Sequence, residues 1–513
     1  MATVLERNLT DLFPAGTLVT DPRECAFYAQ DVHSDGPQPR AVFRPADMGE
    51  LSAGLRAAHA RGLTIIPRGG GMSYTRGYVA PQAGALIVDL GRMNRILDID
   101  PVDMLVTVEA GCTWAALYEA LKPMSLRTPL WGTLSGLKAT VGGGMSQNGL
   151  FWGAAHGTIV ASAIRFQVVL ADGTVLTTGS DFLRPFGPDL TGLFAADAGA
   201  FGIKAHITLP LIREAEAFAY GSFAFDTAEA TFAAMSEVAR AGLASECFGF
   251  DPFLQAQRMK RDSLAADAKQ LVGMMRAQGG FWRGLREGAK VVAAGRSFLD
   301  DAPYSAHLIA EGRTQAEAEE AMRRIDAIVA EVGGRPVENT IPKVLRANPF
   351  PPVNSMLGPE GERWVPVHGI VRHSRAVETA ARITTLYGAH AAEMERLGVG
   401  AGAMFLTVGR TGFLIEPVFY FPDAWGELHR RSVEPAHLSR LRENAANHEA
   451  RALVDALRQG VIEIFGELGG VHFQIGRTYP LGDRTDPAAW RVLETVKAAV
   501  DSEGRMNPGV LGL

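Results

Sequence analysis

The chain has 513 residues, of which 47% are hydrophobic, and a formal net charge of −6. This length predicts more than one domain, and the hydrophobic fraction predicts a well-packed globular protein. The negative charge disfavours a nucleic-acid partner, because binding phosphates needs concentrated Lys and Arg. The cysteines, Cys25, Cys112 and Cys247, lack metal-ligand spacing, so we expect neither a zinc site nor a disulfide framework.

The N-terminus carries the charged residues Glu6 and Arg7 before any hydrophobic stretch, and no apolar run along the chain reaches the length of a membrane span. We therefore expect neither a signal peptide nor a membrane anchor. Together with the scattered cysteines, this pattern indicates a cytoplasmic location.

The first glycine-rich segment, residues 67–78, contains four glycines and the hydroxyl residues Ser73 and Thr75 just after an apolar run. Without a Cβ atom, glycine lets successive backbone N–H groups approach a phosphate closely. The segment lacks the Gly-Lys-Ser/Thr of a P-loop and the helix-opening G-x-G-x-x-G of a dinucleotide fold. It predicts a loop that binds a pyrophosphate, although a glycine-rich segment taken alone is more often an ordinary turn.

A second glycine cluster, residues 139–149, follows at a distance that suits a long, doubly charged cofactor. Between the clusters, residues 85–90 and 105–111 predict β-strands from their β-branched content, and residues 113–124 predict a helix. After the second cluster, residues 165–178 predict a β-hairpin with a glycine in its turn.

Past residue 215 the pattern changes to alternating strands and helices, which predicts an α+β unit whose sheet is covered by helices. One helix begins with a capping box, Thr314 and Glu317, and ends near Gly333. The predicted strands are residues 305–310, 365–371, 404–408 and 413–421. The other predicted helices are residues 374–397 and 435–468.

A basic tract within this middle region, residues 258–296, interleaves Lys and Arg with Met, Leu, Phe and Trp. Such a tract favours a solvated helix pair that covers the sheet. The alternative is a basic amphipathic surface that makes a peripheral membrane contact.

Near the C-terminus, residues 469–479 are the best candidate segment for chemistry. Strand-like alternation places His472 and Gln474 on one face, and Arg477 adds a fixed cation shortly before Tyr479. An arginine can hold an anion in a bidentate contact. The competing interpretation of His472 is a core histidine with backbone hydrogen-bond partners.

Two further places in the middle region can line a site. Glu416 and Tyr420 share one face of a predicted strand by the two-residue period, and Arg410 lies in the turn before that strand. A Glu–Arg pair is more often structural, because each charge needs a partner when buried. Trp364 and His368 form the second candidate pair.

The order of these features resembles the FAD-binding domain of the vanillyl-alcohol oxidase and p-cresol methylhydroxylase superfamily. Residues 69–81 and 88–97 are closest to the branch that oxidises para-substituted phenols. Residues 189–203 resemble the family's glycine-bearing segment on the adenosine side, and residues 505–509 resemble its C-terminal Asn-Pro-Gly sequence.

The resemblance covers residues 15–215 and 465–513, and it implies an α+β fold in which a two-part FAD-binding domain of the vanillyl-alcohol oxidase type carries an inserted α+β cap, or substrate, domain. The implied domains are residues 1–215, the N-terminal part of the FAD-binding domain; residues 216–464, the cap; and residues 465–513, a C-terminal segment that returns to the FAD and active-site region. The implied FAD-binding residues are Pro67, Arg68, Gly69, Gly70, Gly71, Met72, Ser73, Tyr74, Thr140, Val141, Gly142, Gly143, Ser146, Gly149, Gly153, Gly202, Ile203 and Asn507.

The chain also departs from the family's phenol-oxidising members. Those enzymes carry a Tyr-Arg pair where this chain has Gly476 and Arg477, and a further Tyr where Arg76 stands, although Tyr74 lies close by. The acidic residue that they place near the flavin has no clear counterpart in residues 130–134. The segment that contains Arg477 also resembles the His-Gly-x-Gly segment of the 2-hydroxy-acid dehydrogenases.

The family implies an FAD-dependent oxidase or dehydrogenase acting on a CH–OH group, in which hydride leaves the alcohol carbon while a base accepts the hydroxyl proton. We expect His472 as that base and Arg477 as the anchor for a phenolate or a carboxylate. The remaining candidate catalytic residues are Gln474, Tyr479, Arg410, Glu416 and Tyr420.

The first choice of substrate is a para-substituted phenolic benzylic or allylic alcohol, and the alternative is a 2-hydroxy acid such as lactate or glycolate. The alternative from a different class of protein is a non-catalytic flavin-binding electron-transfer subunit. We expect dissociable FAD, because the first glycine loop lacks the histidine through which some family members bond their flavin, and the cap offers no clear match. The electron acceptor is oxygen or a carrier, a homodimer is expected from the family, and neither a metal nor a nucleic acid is expected.

Overall fold

The structure, a computed structural model, describes residues 12–259 and 304–513. The strands in these residues are β1 (Leu18–Val19), β2 (Ala41–Phe43), β3 (Ile65–Arg68), β4 (Leu86–Asp89), β5 (Ile96–Asp100), β6 (Leu105–Glu109), β7 (Leu126–Arg127), β8 (Arg165–Val169), β9 (Val175–Thr177), β10 (Ile203–Pro210), β11 (Ile212–Arg213), β12 (Ala217–Phe225), β13 (Glu246–Phe250), β14 (Tyr304–Gly312), β15 (Arg335–Pro336), β16 (Arg363–Pro366), β17 (Gly369–Arg372), β18 (Gly400–Val408) and β19 (Gly412–Phe421).

The α-helices in the same residues are α1 (Pro22–Phe27), α2 (Met48–His59), α3 (Trp114–Leu121), α4 (Val141–Gln147), α5 (Leu190–Phe194), α6 (Ala228–Ala241), α7 (Pro252–Met259), α8 (Gln315–Glu331), α9 (Thr340–Ala347), α10 (Ala376–Ala389), α11 (Ala391–Leu397), α12 (Glu427–Ser432), α13 (Pro435–Leu438), α14 (His448–Glu467), α15 (Leu481–Arg484) and α16 (Pro487–Val500). The predicted α+β class is confirmed, because most strands pair antiparallel and the helices lie outside the sheets.

The N-terminal part of the chain contains a four-stranded sheet in the order β1-β2-β4-β3. Strands β3 and β4 run parallel and pair Arg68 with Asp89, so the first glycine loop begins where β3 ends. The apolar side chains of Ile65 and Ile66 are fully buried, which fixes the start of that loop against the core.

A five-stranded antiparallel sheet, in the order β5-β6-β10-β8-β9, completes this part. The predicted hairpin is confirmed: β8 and β9 pair, and Gly173 in their turn has a φ of +85°. Helix α4 packs on β10 and β6. Thr140 caps its N-terminus, because the Thr140 hydroxyl accepts the N–H of Gly143 at 3.1 Å. The second glycine cluster therefore starts as a capped helix N-terminus.

The middle region forms an antiparallel sheet, which we call the cap sheet, in the order β15-β12-β14-β13-β18-β19-β16, with β17 also paired to β19. Helices α6, α8, α10 and α14 contact its strands or one another. The predicted capping box helix is α8, where the hydroxyl of Thr314 accepts the N–H of Glu317 at 3.2 Å.

Three predicted elements differ in the structure. The strand predicted over residues 365–371 is divided into β16 and β17, because Pro417 in the facing strand has no N–H to donate and the N–H of His368 bonds to the Tyr479 hydroxyl instead. The helix predicted over residues 374–397 is divided at His390, which has a non-helical φ of −109°.

The helix predicted over residues 435–468 is α13 followed by α14, and α14 begins only where the Asn447 side chain caps it by accepting the N–H of Ala450 at 3.0 Å. Most of the basic tract, residues 258–296, lies outside the described residues. In the described ranges, no helix combines the length and the apolar character needed to cross a membrane.

The C-terminal segment joins the two parts of the molecule. Val471 pairs with Ile370 beside the cap sheet, and Met506 pairs with Ile65 at the start of β3. Asn507 also donates its backbone N–H to the Ile65 carbonyl at 2.8 Å. The C-terminal segment therefore contacts both the cap sheet and the strand that leads into the first glycine loop.

Candidate active site

A cavity of about 900 Å³ lies between the two glycine-rich segments and the cap sheet. Both segments contribute backbone to its wall, and the cap contributes mostly apolar side chains. Among the predicted cofactor-binding residues, those that line the cavity are Pro67, Arg68, Gly69, Gly70, Gly71, Met72, Ser73, Tyr74, Thr140, Gly142, Gly143, Ser146, Gly149, Gly202 and Ile203.

The two glycine segments pack directly on each other, which explains why the first needs glycine. A Cβ atom on Gly70 would lie 1.9 Å from the carbonyl oxygen of Lys138, and one on Gly69 would lie 2.5 Å from the Thr140 hydroxyl. Gly71 has a φ of +70°, which residues with a side chain rarely adopt. The close packing leaves backbone rather than side chains facing the cavity, as a bound pyrophosphate requires.

Arg68 is held beside this loop by aromatic rings. Its guanidinium carbon lies 4.6 Å from the ring centres of Phe27 and Tyr28 and 5.2 Å from that of Tyr78. Such cation–π contacts stabilise a buried arginine. They hold Arg68 at the wall of the cavity.

Three predicted cofactor-binding residues do not line the cavity, although each lies next to it. Val141 is fully buried in the core behind the second glycine cluster. The side-chain amide of Asn507 donates to the carbonyls of Gly77 and Ala198 at 2.9 and 2.8 Å, so it joins two loops. Gly153 donates its N–H to the side chain of Glu246 in the cap at 2.7 Å.

Arg477, the predicted anion anchor, is also turned away from the cavity. Its five donor hydrogens point to the carbonyls of Arg76 at 2.6 Å, Val79 at 3.0 Å and Pro508 at 2.9 and 3.3 Å, and to the side-chain oxygen of Asn507 at 2.6 Å. Burial, with the nearby Arg76 charge, lowers its pKa to about 10, so it stays protonated at neutral pH. The geometry makes Arg477 a clamp between the first glycine loop and the C-terminal segment.

His472, the predicted base, lies outside the cavity lining, with both ring nitrogens engaged. Its Nδ1 lies 2.7 Å from the carbonyl oxygen of His368, and its Nε2 lies 2.7 Å from the guanidinium of Arg484. These partners fix the neutral tautomer that carries its proton on Nδ1. Burial lowers its pKa to about 4, so a proton on Nε2 is strongly disfavoured.

Of the other candidate catalytic residues, some line the cavity and some lie away from it. The Tyr479 ring is buried and stacks on His472 with 4.1 Å between ring centres, and its hydroxyl accepts the N–H of His368 at 3.1 Å. Arg410 is exposed in the turn between β18 and β19, away from the cavity. Gln474, Glu416 and Tyr420 line the cavity.

Strand β19 forms much of the cap wall. Leu414, Glu416, Val418 and Tyr420 all line the cavity, so the common face predicted from the two-residue period is confirmed. Trp364 pairs directly with Tyr420 from β16 and lines the cavity beside it.

A polar group on the first glycine loop faces this wall. The Tyr74 hydroxyl lies 3.5 Å from the side-chain nitrogen of Gln474. Burial, followed by the negative charge of Glu416, raises the pKa of Tyr74 well above its usual range. The tyrosine is therefore a neutral donor close to a carboxylate, within the cavity.

The sequence did not single out the apolar part of the cap wall. Phe250 and Met404 line the cavity from β13 and β18 and pair with each other across the sheet, which no local pattern reveals. Phe473 also lines it, with the buried ring of His368 stacked behind at 3.7 Å. Leu414 could have been found from the same alternation as Glu416.

Comparison with known proteins identifies the cofactor part of this site. Residues 39–179 match the family model described as FAD binding domain. The chain contains an FAD binding domain. This confirms the predicted cofactor, FAD, and the predicted resemblance to the superfamily at the level of this domain.

The chain is also similar in sequence to flavin-linked oxidases and dehydrogenases over part of its length. The chain is 28% identical over 210 residues to glycolate oxidase subunit GlcD of Escherichia coli, and this match covers 40% of this chain and 41% of that protein. It is 30% identical over 222 residues to the probable mitochondrial D-lactate dehydrogenase of Danio rerio, which covers 42% and 43%. The match thus spans less than half the length of these relatives.

The whole fold is similar to a solved structure of p-cresol methylhydroxylase with substrate bound. That likeness has a TM-score of 0.73 and covers 99% of this chain and 96% of the other at 17% identity, so it shows the fold. The lining residues fit FAD: backbone N–H groups of the glycine loops suit the pyrophosphate, and the cap wall closes the far end of the cavity.

Proposed function

We propose that the chain is an FAD-dependent oxidoreductase that oxidises an alcohol carbon, with a para-substituted phenolic benzylic or allylic alcohol as the first choice of substrate. The observation that carries this proposal is the continuity of the cavity from the glycine loops to Tyr74, Gln474 and Glu416 at the cap wall. FAD, when bound, supplies the hydride acceptor. The chain supplies the pocket that orients the alcohol and takes its proton.

The character of the cap wall supports a neutral, largely apolar substrate. The Lys and Arg side chains among the described lining residues are Arg68, Lys204 and Arg440. Arg68 and Lys204 belong to the FAD binding part, and Lys204 is paired with Asp197 at 2.6 Å. Arg440 is exposed beyond α13. The described cap wall thus presents mostly aromatic and aliphatic side chains, which suit an aromatic ring, with a minority of polar ones such as Glu416 and His437.

Tyr74 and Gln474 provide the polar contacts for the substrate. A phenol needs few of them, and the Tyr74 hydroxyl with the Gln474 amide can hydrogen-bond a hydroxyl group that enters the cavity. Because Arg477 uses its five donors elsewhere, we propose that the phenol binds in its neutral form rather than as a phenolate on that arginine.

The second candidate substrate is a 2-hydroxy acid. It is favoured by the similarity to the E. coli glycolate oxidase subunit and the Danio rerio D-lactate dehydrogenase. A carboxylate in the cavity would need a cation, and among described lining residues the cap offers Arg440 for it. We therefore rank the 2-hydroxy acid after the phenolic alcohol.

For the proton, we propose Glu416 rather than His472. Glu416 lies on the cavity wall, near enough to the Tyr74 hydroxyl to raise its pKa by charge. A carboxylate there can accept the hydroxyl proton as hydride leaves the carbon. His472 lies outside the lining, receives the Arg484 guanidinium on Nε2 and has a pKa of about 4.

Anaerobic flavin reduction tests the reaction. The FAD-loaded protein is mixed without oxygen with 4-hydroxybenzyl alcohol, benzyl alcohol, lactate and glycolate, and the loss of flavin absorbance is followed. Rapid bleaching by the phenolic alcohol supports the first candidate, and bleaching by a hydroxy acid alone supports the second. If no alcohol or hydroxy acid bleaches the flavin, the non-catalytic electron-transfer subunit replaces both.

A matched pair of variants tests the base. Glu416→Gln keeps the size of the side chain and removes its basicity, so we expect flavin reduction to slow by about 10²–10⁴-fold. His472→Gln is the control, because it removes an imidazole outside the cavity, and its reduction rate should stay within about threefold of the wild type. The opposite ranking of the two rates would return the role of base to His472.

A further inference from the structure

Glu246 makes a contact between the cap and the FAD binding domain that no sequence pattern indicated. It stands at the start of β13 in the cap sheet, and only 2% of its surface is exposed. Its Oε1 accepts the backbone N–H of Gly153 at 2.7 Å. Its Oε2 is buried and has no hydrogen-bond partner among the residues that the structure describes.

Gly153 is also closely packed against the backbone of Pro129, so its position is tightly constrained. Its φ is +84°, and a Cβ atom on it would lie 2.1 Å from the carbonyl oxygen of Pro129. The next residue, Ala154, accepts the backbone N–H of Gly409 from the cap hairpin at 2.8 Å. Two cap-to-domain hydrogen bonds therefore hold consecutive residues.

The position of the Gly153 backbone fixes two segments of the cavity wall. Leu150 and Phe151, just before Gly153, line the cavity. Trp152 exchanges backbone hydrogen bonds at 3.0 Å with Trp131 and Gly132, and the residues that follow, 133–135, line the cavity too. A shift of the Gly153 backbone would therefore move both wall segments.

The charges around Glu246 favour its neutral acid form. The groups that face it are Glu311 on β14, Arg127 on β7 and Arg346 on α9. Arg127 contacts Glu311 at 2.5 Å and Glu214 at 3.3 Å, and Arg346 also contacts Glu214. The two arginines are thus balanced by two other carboxylates, so an ionised Glu246 would be an uncompensated buried charge.

We infer that Glu246 is a positioning residue for the FAD site: from the cap it holds the Gly153 backbone, and through it the two wall segments of the cavity, as a protonated acid. Burial, followed by the charge of Glu311, raises its pKa to about 8, in keeping with that form. Ionisation above this pH strengthens the hydrogen bond from Gly153 but leaves an uncompensated buried charge, and the upward shift of the pKa means that the burial cost is the larger effect. The cap should therefore release the wall, and FAD affinity should fall.

Substitutions at Glu246 test the inference through FAD binding, independently of any substrate. Glu246→Leu keeps the bulk and leaves the Gly153 N–H without a partner, so we expect FAD to dissociate about tenfold more readily from the FAD-loaded protein, with an altered visible spectrum. Glu246→Gln still accepts that N–H and cannot ionise, so its FAD affinity and spectrum at pH 7 should match the wild type.

The pH dependence separates positioning from general stability. Between pH 7 and pH 9, the dissociation constant for FAD should rise in the wild type and stay flat in Glu246→Gln. Asp251→Asn is the matched control, because Asp251 is another buried cap carboxyl, which accepts the N–H of Leu254 within the cap, and its curve should follow the wild type. Unchanged FAD affinity in Glu246→Leu, or an equal rise with pH in Glu246→Gln, would overturn the inference.

Discussion

Replacing Arg477 distinguishes the two parts that this side chain can play. As a clamp, it fixes the first glycine loop to the C-terminal segment through its five donor hydrogens. As an anion anchor, it would hold a substrate anion. The variants are Arg477→Met, which removes both the charge and the donors, and Arg477→Lys, which keeps the charge and has three donors.

The contacts set the size of the expected loss. Removing one partner of a buried charged network costs about 3–5 kcal/mol, because the remaining groups keep their desolvation cost. Arg477 is only partly buried, so we take the lower figure, about 3 kcal/mol, for Arg477→Met. At about 2 °C per kcal/mol for a large domain, its melting temperature should fall by about 6 °C. Arg477→Lys should lose roughly half as much.

The assay combines a thermal melt of the FAD-loaded protein with steady-state kinetics at saturating FAD. The clamp account predicts a lower melting temperature and earlier FAD release, with KM for the alcohol within about threefold of the wild type. An unchanged melting temperature together with a KM for substrate raised a hundredfold or more in Arg477→Met would refute the clamp and restore the anion anchor.

The remaining predictions concern the substrate contact, pH and the cofactor bond. Tyr74→Phe removes one hydrogen bond to the substrate, so kcat/KM should fall by about 5–30-fold, and an equal value in both proteins would exclude that contact. The raised pKa of Asp251, about 7 through burial, means that its contribution to folding stability is full below about pH 4 and is lost as the pH rises through 7. Urea unfolding at pH 5 and pH 8 should therefore show the unfolding free energy of the wild type falling relative to that of Asp251→Asn at the higher pH, by about 2–3 kcal/mol; parallel curves would contradict this. Acid precipitation should release FAD into the supernatant, whereas flavin kept in the pellet would show a covalent bond.

The sequence predicted those parts of the site whose cause is local. The glycine loops were found because close backbone approach needs glycine within a short segment. At Gly70, for example, a Cβ atom would lie only 1.9 Å from the carbonyl oxygen of Lys138. The common face of Glu416 and Tyr420 was found because side chains alternate along a strand whatever its partners are.

The parts that were missed depend on residues far away in the chain. Nothing near His472 indicates that Arg484 covers one of its nitrogens and the His368 carbonyl the other, which removes it from the cavity. The parts played by Arg477 and Glu246 likewise depend on carbonyl and N–H groups of distant loops. Backbone partners of this kind leave no trace in residue type, so alternation and charge alone assigned His472 and Arg477 to chemistry and passed over Glu246.

The predicted element boundaries failed for a similar reason. Two predicted elements, the strand over residues 365–371 and the helix over residues 435–468, were interrupted where a tertiary contact or a cap replaced a regular hydrogen bond, at His368 and Asn447. The first break matters for function, because it turns the His368 backbone toward Tyr479 and so shapes the wall behind Phe473.

The most direct test of the proposed alcohol oxidation is the visible spectrum of the FAD-loaded protein during an anaerobic titration with 4-hydroxybenzyl alcohol. We expect the flavin absorbance to be bleached in proportion to added alcohol, and Glu416→Gln to slow this bleaching by at least a hundredfold. A flavin that stays oxidised in the wild type, with this alcohol and with lactate and glycolate, would contradict the proposed alcohol oxidation.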